Sequence, residues 1–345
     1  MSSFSPVSPF TTDSRAMRQL DVRRTWRCAV SLTITVALSF PVRASAQWYG
    51  GVLQADSLLA SGRVATAESV YYATSSARPR DATARAALGR YLASRGALRP
   101  GAVLLEEARF FGGDSISIAR VLAPIYSSLG DYRALAVLPA SPLSPIERER
   151  ARWLVSHAPV LEFADSVDTL HYKPLSDGTG VGIVSIGVGE RSIDALIDPR
   201  VSGVVLRGRQ AKRRAGLQSF GEDSSGVVAV VSELHLGNVT LSNVPARLDE
   251  TSEGTRSASG ALIGLDVLRR LAPTFDAVAQ TITLRRSGQV ALTTIGTRSP
   301  MLLDAQGLRI LVDGRWESSA SRTSGLLLSL HRWTLDAKRG VIILQ

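Results

Sequence analysis

The apolar residues of this chain change their period near residue 158, and that change limits what each half can fold into. From Val52 to Leu138 they recur at helical spacing, as in Leu58, Leu59, Ala67, Val70 and Tyr71, in a background rich in Ala, Leu and Arg. Helix is expected to continue through Pro145–Trp153. After Pro159 the chain turns to short apolar runs separated by Gly, Ser, Asn and Asp: 181–188, 193–197, 227–231, 239–244 and 281–284. That spacing is expected of an all-β barrel. Helices followed by strands, rather than alternating with them, predict an α+β chain of more than one domain.

Within the helical half three glycines stand 34 residues apart, Gly62, Gly96 and Gly130, each where one helix would turn into the next. Tyr91 and Tyr126 precede two of them at matching distances, and Pro79 and Pro139 fall where helices must stop. The period and placement resemble the tetratricopeptide repeat, about three degenerate copies over residues 47–158. The resemblance implies either a concave surface for a peptide or protein, or a packed helical spacer that binds nothing by itself.

The N-terminus reads as a leader. Arg15, Arg18, Arg23, Arg24 and Arg27 precede an apolar run from Cys28 to Val42, and Ala44-Ser-Ala46 supplies a small-x-small cleavage pattern before Gln47. Residues 1–46 are therefore expected to be a secretory signal peptide, with an uncleaved anchor as the alternative. The run is shorter than the roughly 20 residues of a membrane span, and the mature chain has no later one. Periplasmic or secreted placement follows as the expectation. Removing that segment takes away six Arg and two acidic residues, so the formal charge of +10 falls to +6. The densest basic cluster, Arg207, Arg209, Lys212, Arg213 and Arg214, has no interleaved aromatics and reads as a solvated face, not a nucleic-acid surface. Cys28 is the only cysteine and lies in the leader, which excludes disulfides and thiolate chemistry from the mature chain.

Three patterns specify the β-rich half. Ile193-Asp-Ala-Leu-Ile-Asp198-Pro199-Arg200-Val-Ser-Gly203-Val-Val-Leu206 is an apolar strand ending in an aspartate, a tight segment and a second apolar strand. Leu234-His-Leu-Gly237-Asn-Val-Thr-Leu-Ser-Asn-Val-Pro245-Ala is a glycine hairpin. Ser259-Gly-Ala-Leu-Ile-Gly264-Leu-Asp-Val-Leu268 leads through Phe275-Asp276 to the run 281–284. Together, in this order and spacing, they resemble the retropepsin-like aspartic peptidases over residues 172–286. The resemblance implies an acid-protease barrel at 165–290, with Asp198 as candidate catalytic residue and a peptide or protein as partner. It implies no metal and no cofactor.

Such a peptidase needs two carboxylates sharing one proton, so that one activates water while the other polarises the peptide carbonyl. The family's Asp-Thr-Gly is Asp-Pro-Arg here: Pro199 removes the hydroxyl and fixes φ, and Arg200 replaces the residue that lets backbone approach. A guanidinium beside Asp198 would also favour the ionised form. Two readings follow: an exported aspartic endopeptidase that hydrolyses peptide bonds through Asp198 and a second Asp, which the resemblance implies, and a pseudo-enzyme, a non-catalytic periplasmic peptide- or protein-binding module on the same fold, which the Asp-Pro-Arg substitutions favour.

The tail, residues 291–345, echoes the module. Met301-Leu-Leu-Asp304 repeats Ala195-Leu-Ile-Asp198, and Leu335-Asp336-Ala repeats Phe275-Asp276-Ala. An abbreviated second lobe would make Asp304 the second carboxylate. The alternatives are hairpins that only complete a sheet, and a homodimer that pairs Asp198 with its symmetry mate. His157, His171, His235 and His331 show no metal-ligand spacing, and no nucleophile elbow or phosphate loop is present.

Overall fold

The computed structural model describes residues 42–345 except 141, 176–181, 199–200, 202, 209, 211–212, 214–215, 251–258, 287, 289, 292, 305–306, 319–327 and 329. Residues 43–345 form one compact unit. Most of the expected leader, and Pro199, Arg200, Arg209, Lys212 and Arg214, lie outside the described residues. Among the described residues no helix is long and apolar enough to cross a membrane.

Seven helices come first: α1 (Val42–Ala60), α2 (Val64–Ala77), α3 (Ala82–Ser94), α4 (Leu98–Phe110), α5 (Ser115–Leu129), α6 (Tyr132–Val137) and α7 (Pro145–Ser156). Helix α1 runs across the Ala46–Gln47 boundary. Gly62, Gly96 and Gly130 each turn one helix into the next with φ of +76°, +83° and +73°, the left-handed region that side chains with a Cβ disfavour. Asp81, Asp114 and Asp131 cap α3, α5 and α6 with side-chain acceptors, and Ser144 with Glu147 forms a capping box ahead of α7. Gly89 and Gly101 let α3 and α4 approach closely, since a Cβ at Gly89 would lie 3.0 Å from the Gly101 carbonyl oxygen. Three tyrosines tie neighbouring helices through carboxylates: Tyr71 to Asp56, Tyr91 to Glu68 at 2.8 Å and Tyr126 to Glu106 at 2.6 Å. Burial first, and then the carboxylate, pushes each phenol's pKa far up, so all three stay protonated donors.

The strands are β1 (Val160–Phe163), β2 (Val167–His171), β3 (Lys173–Pro174), β4 (Gly182–Val188), β5 (Arg191–Ile197), β6 (Val204–Arg207), β7 (Leu217–Asp223), β8 (Gly226–Leu236), β9 (Val239–Asp249) and β10 (Ala261–Ile263). A short helix α8 (Leu265–Leu268) follows, then β11 (Thr274–Asp276), β12 (Thr281–Arg285), β13 (Thr297–Asp304), β14 (Gly307–Val312), β15 (Arg315–Ser318), β16 (Trp333–Asp336) and β17 (Val341–Leu344). In the first sheet β9, β6, β10, β5, β4 and β8 pair in that order and β8 returns to β9, which closes a six-stranded barrel. Alternate residues of β4 and β5, among them Val184, Ile186, Ile193, Ala195 and Ile197, enter one apolar core. The chain is thus α+β, helices first and a β-barrel with further sheet second.

The second sheet runs β15-β14-β13-β17-β16-β11-β12-β2. At its middle the hairpin β11–β12 meets the hairpin β16–β17. Thr274 pairs with Thr334, their hydroxyls 2.6 Å apart, and Phe275 stacks on Trp333 with centroids at 4.2 Å.

The helices are attached to this sheet by their turns. Trp316 Nε1 donates to the Leu59 carbonyl at 2.5 Å, and Gly62 packs so closely on Gly314 that a Cβ would lie 2.5 Å from its carbonyl oxygen. At the next turn, Arg95 Nη1 donates to the carbonyls of Met301 and Gly340 at 2.6 and 2.5 Å. Beyond that, Ser128 Oγ donates to Asp266 at 2.5 Å. The 34-residue period therefore places successive turns along the β-rich module.

Candidate functional site

Asp198 follows β5 directly and is 7% exposed. Strand β10 lies between β5 and β6, parallel to the first and antiparallel to the second, although β5 and β6 are consecutive in the chain. The described residues between β5 and β6, namely Asp198, Val201 and Gly203, are tied to the end of β10 and the residues after it by backbone hydrogen bonds. Asp198 N–H donates to the Ile263 carbonyl at 3.0 Å, Gly264 N–H to Gly203 at 2.7 Å and Leu265 N–H to Val201 at 2.8 Å. Gly264 has no room for a side chain, because a Cβ would lie 2.6 Å from the Gly203 carbonyl oxygen. Gly203 itself turns through a φ of +72°. The Ala-Leu-Ile-Gly element thus fixes the backbone on which the Asp198 carboxylate stands.

Asp304 ends β13 in the second sheet, opposite Gly307. Its side chain, like those of Pro199 and Arg200, lies outside the described residues. Asp198 and Asp304 therefore belong to different sheets, one at the exit of a barrel strand and the other at the tip of the hairpin β13–β14.

The hairpin β7–β8 is held into the barrel wall. Val227 to Leu236 pair with β9 along the length of β8, so this strand is committed to the barrel. At the hairpin's tip Asp223 accepts from Arg247 at 2.8 Å and from Ser144 Oγ at 3.3 Å, while Arg247 also pairs with Glu147 of α7. Phe220 packs edge-on against Trp153 of the same helix. The Arg247 guanidinium holds the Asp223 carboxyl well below the usual carboxylate range, with Ser225 donating to the same oxygen. This clamp draws on residues 100 positions apart, and no local pattern in the sequence announces it. Only the S-x-x-E cap of α7 is visible there.

No family model matches this chain, and no curated protein matches it. Among solved structures, the crystal structure of a retropepsin-like aspartic protease from Rickettsia conorii is similar at 14% identity, with 36% of this chain and 93% of that chain covered and a TM-score of 0.27.

Proposed function

We propose that this is an exported protein whose β-rich module is a retropepsin-like barrel that holds a peptide or protein segment without hydrolysing it. The resemblance of the three motifs around Asp198, Pro245 and Gly264 supports the barrel type, and β10 threading beside Asp198 is what that chain order requires. The observation that carries the non-catalytic reading is the register of the second sheet.

Residue 171 pairs with 281 and residue 300 with 341; 276 pairs with 281 and 336 with 341. The segments 167–171, 274–276 and 281–284 therefore correspond to 296–300, 334–336 and 341–344, two copies that meet at the Thr274–Thr334 pair. Turn chemistry repeats with them: Asp276 accepts from the Ala279 amide and Asp336 from the Arg339 amide, three residues on in each copy. Counted along β13 from residue 300, Asp304 then corresponds to Leu175, which precedes β4, and not to Asp198, which follows β5. The hairpin β14–β15, turning at Asp313-Gly314, takes the place of β4–β5, turning at Gly189-Glu190. In the sequence beyond β15, residues 319–327 contain no Asp or Glu.

This register supports a reading in which Asp304 is not the partner of Asp198. The homodimer route is disfavoured by the same sheet, because the free edge of β11 is already paired with the chain's own β16. With a single carboxylate no shared proton is available, and peptide hydrolysis by a dyad loses its chemistry. The test is turnover of unfolded protein substrates between mildly acidic and neutral pH. Wild type and Asp198→Asn are expected to be equally inert. Wild-type cleavage that Asp198→Asn abolishes would restore the active-peptidase reading.

A further inference from the structure

Helices α5, α6 and α7 on one side, and β6, β9 and α8 on the other, enclose a cavity of about 350 Å³. Its wall is largely apolar, with Ala123, Leu135, Leu143, Val204, Val244 and Val267, and it carries five charged residues: Glu147, Arg150, Arg247, Asp266 and Arg270. Three of these have partners. Arg247 is held by Asp223 and Glu147, Glu147 also accepts from the Ser144 amide at 2.9 Å, and Asp266 accepts from Ser128.

The other two differ. Arg150 Nη1 reaches only carbonyl oxygens, Ala246 at 3.0 Å and Ala229 at 3.5 Å. Arg270 stands by the phenol of Tyr132, which burial pushes up in pKa while this guanidinium opposes the shift. Among the described residues neither arginine belongs to an ion pair. Burial depresses the Arg150 pKa, the Glu147 carboxylate opposes that shift, and the neighbouring Arg247 guanidinium adds to it. The carboxylates that act on Arg150, Glu147 and Asp223, are both bonded to Arg247, so Arg150 has no carboxylate of its own; an anion delivered beside it adds charge-assisted hydrogen bonds.

We propose that this cavity is a binding site for a single-tailed apolar carboxylate, its chain lying against Leu135, Leu143 and Val244 and its carboxylate on Arg150 and Arg270. The volume is at the lower end of ligand pockets, which run from about 300 to 1,000 Å³, so the tail is a medium-length chain and not a full phospholipid. Gly203 and Val204, where the Asp198 connection ends, form part of the same wall. The bound molecule therefore touches the back of that connection, whether or not Asp198 has any catalytic role.

The experiment is calorimetric titration of the full chain with decanoate below its micelle concentration, with 1-decanol and decyltrimethylammonium as comparisons. Saturable one-to-one binding of decanoate is expected, with both comparison compounds weaker by about tenfold or more, the value of one charge-assisted contact. Arg270→Gln is expected to weaken decanoate by a similar factor without changing thermal unfolding. Ala123→Trp, which fills the cavity and keeps both arginines, is expected to abolish binding. Absence of saturable binding to wild type, equal binding of decanol, or full binding to Ala123→Trp overturns the assignment. Arg150→Gln is expected to weaken decanoate likewise; should it unfold the protein, the Arg270 and Ala123 variants still decide the assignment.

Discussion

Gly96→Ala tests how the helices are attached to the sheet, and Gly130→Ala is its control. Both positions are left-handed turns, at φ of +83° and +73°, so each alanine carries the same backbone penalty of about 1–2 kcal/mol. A smaller unfolded-state entropy offsets roughly 0.4–1 kcal/mol of that. Their surroundings differ. The nearest atom to a Cβ on Gly130 is Tyr132 Cε2 at 4.0 Å, an ordinary van der Waals contact. A Cβ on Gly96 would overlap the Ala337 carbonyl oxygen and come within 3.1 Å of its carbon, so the turn and the β16–β17 hairpin must part. Parting them loosens Arg95, whose Nη1 bonds to Met301 and Gly340 each involve a charged donor and are worth about 1.5–3 kcal/mol if lost. Gly130→Ala should therefore cost about 1 kcal/mol or less, and Gly96→Ala about 3 kcal/mol or more. Urea unfolding followed by circular dichroism reads the difference directly. Equal losses for the two variants would refute the docking of this turn on the sheet.

The pairing of the two hairpins predicts that Thr274→Cys with Thr334→Cys, in a Cys28→Ser background, forms a disulfide within one chain; a disulfide-linked dimer on non-reducing gels, or no disulfide in folded protein, would show the seam to be misassigned. The Asp223 clamp predicts a pH-dependent contribution. Its carboxyl is depressed in the folded protein, so the stabilisation is present above the unfolded value near 4 and is lost as pH falls through the lower folded value. Asp223→Asn should thus cost about 1 kcal/mol at pH 7 and progressively less in acid, and a cost that grows as pH falls would contradict the Arg247 pairing.

Much of this architecture is legible in the sequence where the signal is local. The change of apolar period marks the passage from helices to strands, and the strand expected at 193–197 ends β5 beside Asp198. Gly62, Gly96 and Gly130 announce turns because left-handed backbone favours glycine. The echo of Phe275-Asp276 in Leu335-Asp336 reflects two hairpins with the same Asp-capped turn. What is missing from the sequence is pairing at long range. The likeness of Leu303-Asp304 to Ile197-Asp198 is a short apolar-Asp pattern that any strand end can carry, and the proposed alignment of residue 304 with 175 draws on strand register, which the sequence does not display. Nor does the sequence reveal that Arg95, Trp316 and Ser128 fasten the helices, because a single polar side chain among exposed ones carries no periodic signature. The cavity with Arg150 and Arg270 is hidden for the same reason: α5 on one wall stands more than a hundred positions before β9 and α8 on the other.

The junction of β11 with β16 also orders events during synthesis. The helices and the barrel through β12 involve only residues up to 285, and all of these emerge before the last strands exist. Until residues 333–336 arrive, β11 has one unpaired side, and Phe275, wholly buried in the finished protein, lacks the indole that covers it. A nascent or truncated chain thus displays an apolar strand edge, the feature that recruits holdases and proteases or seeds aggregation. Arrival of β16 removes it. That strand acts as a late cover for the sheet, and a chain interrupted between β12 and β16 should be cleared in the cell.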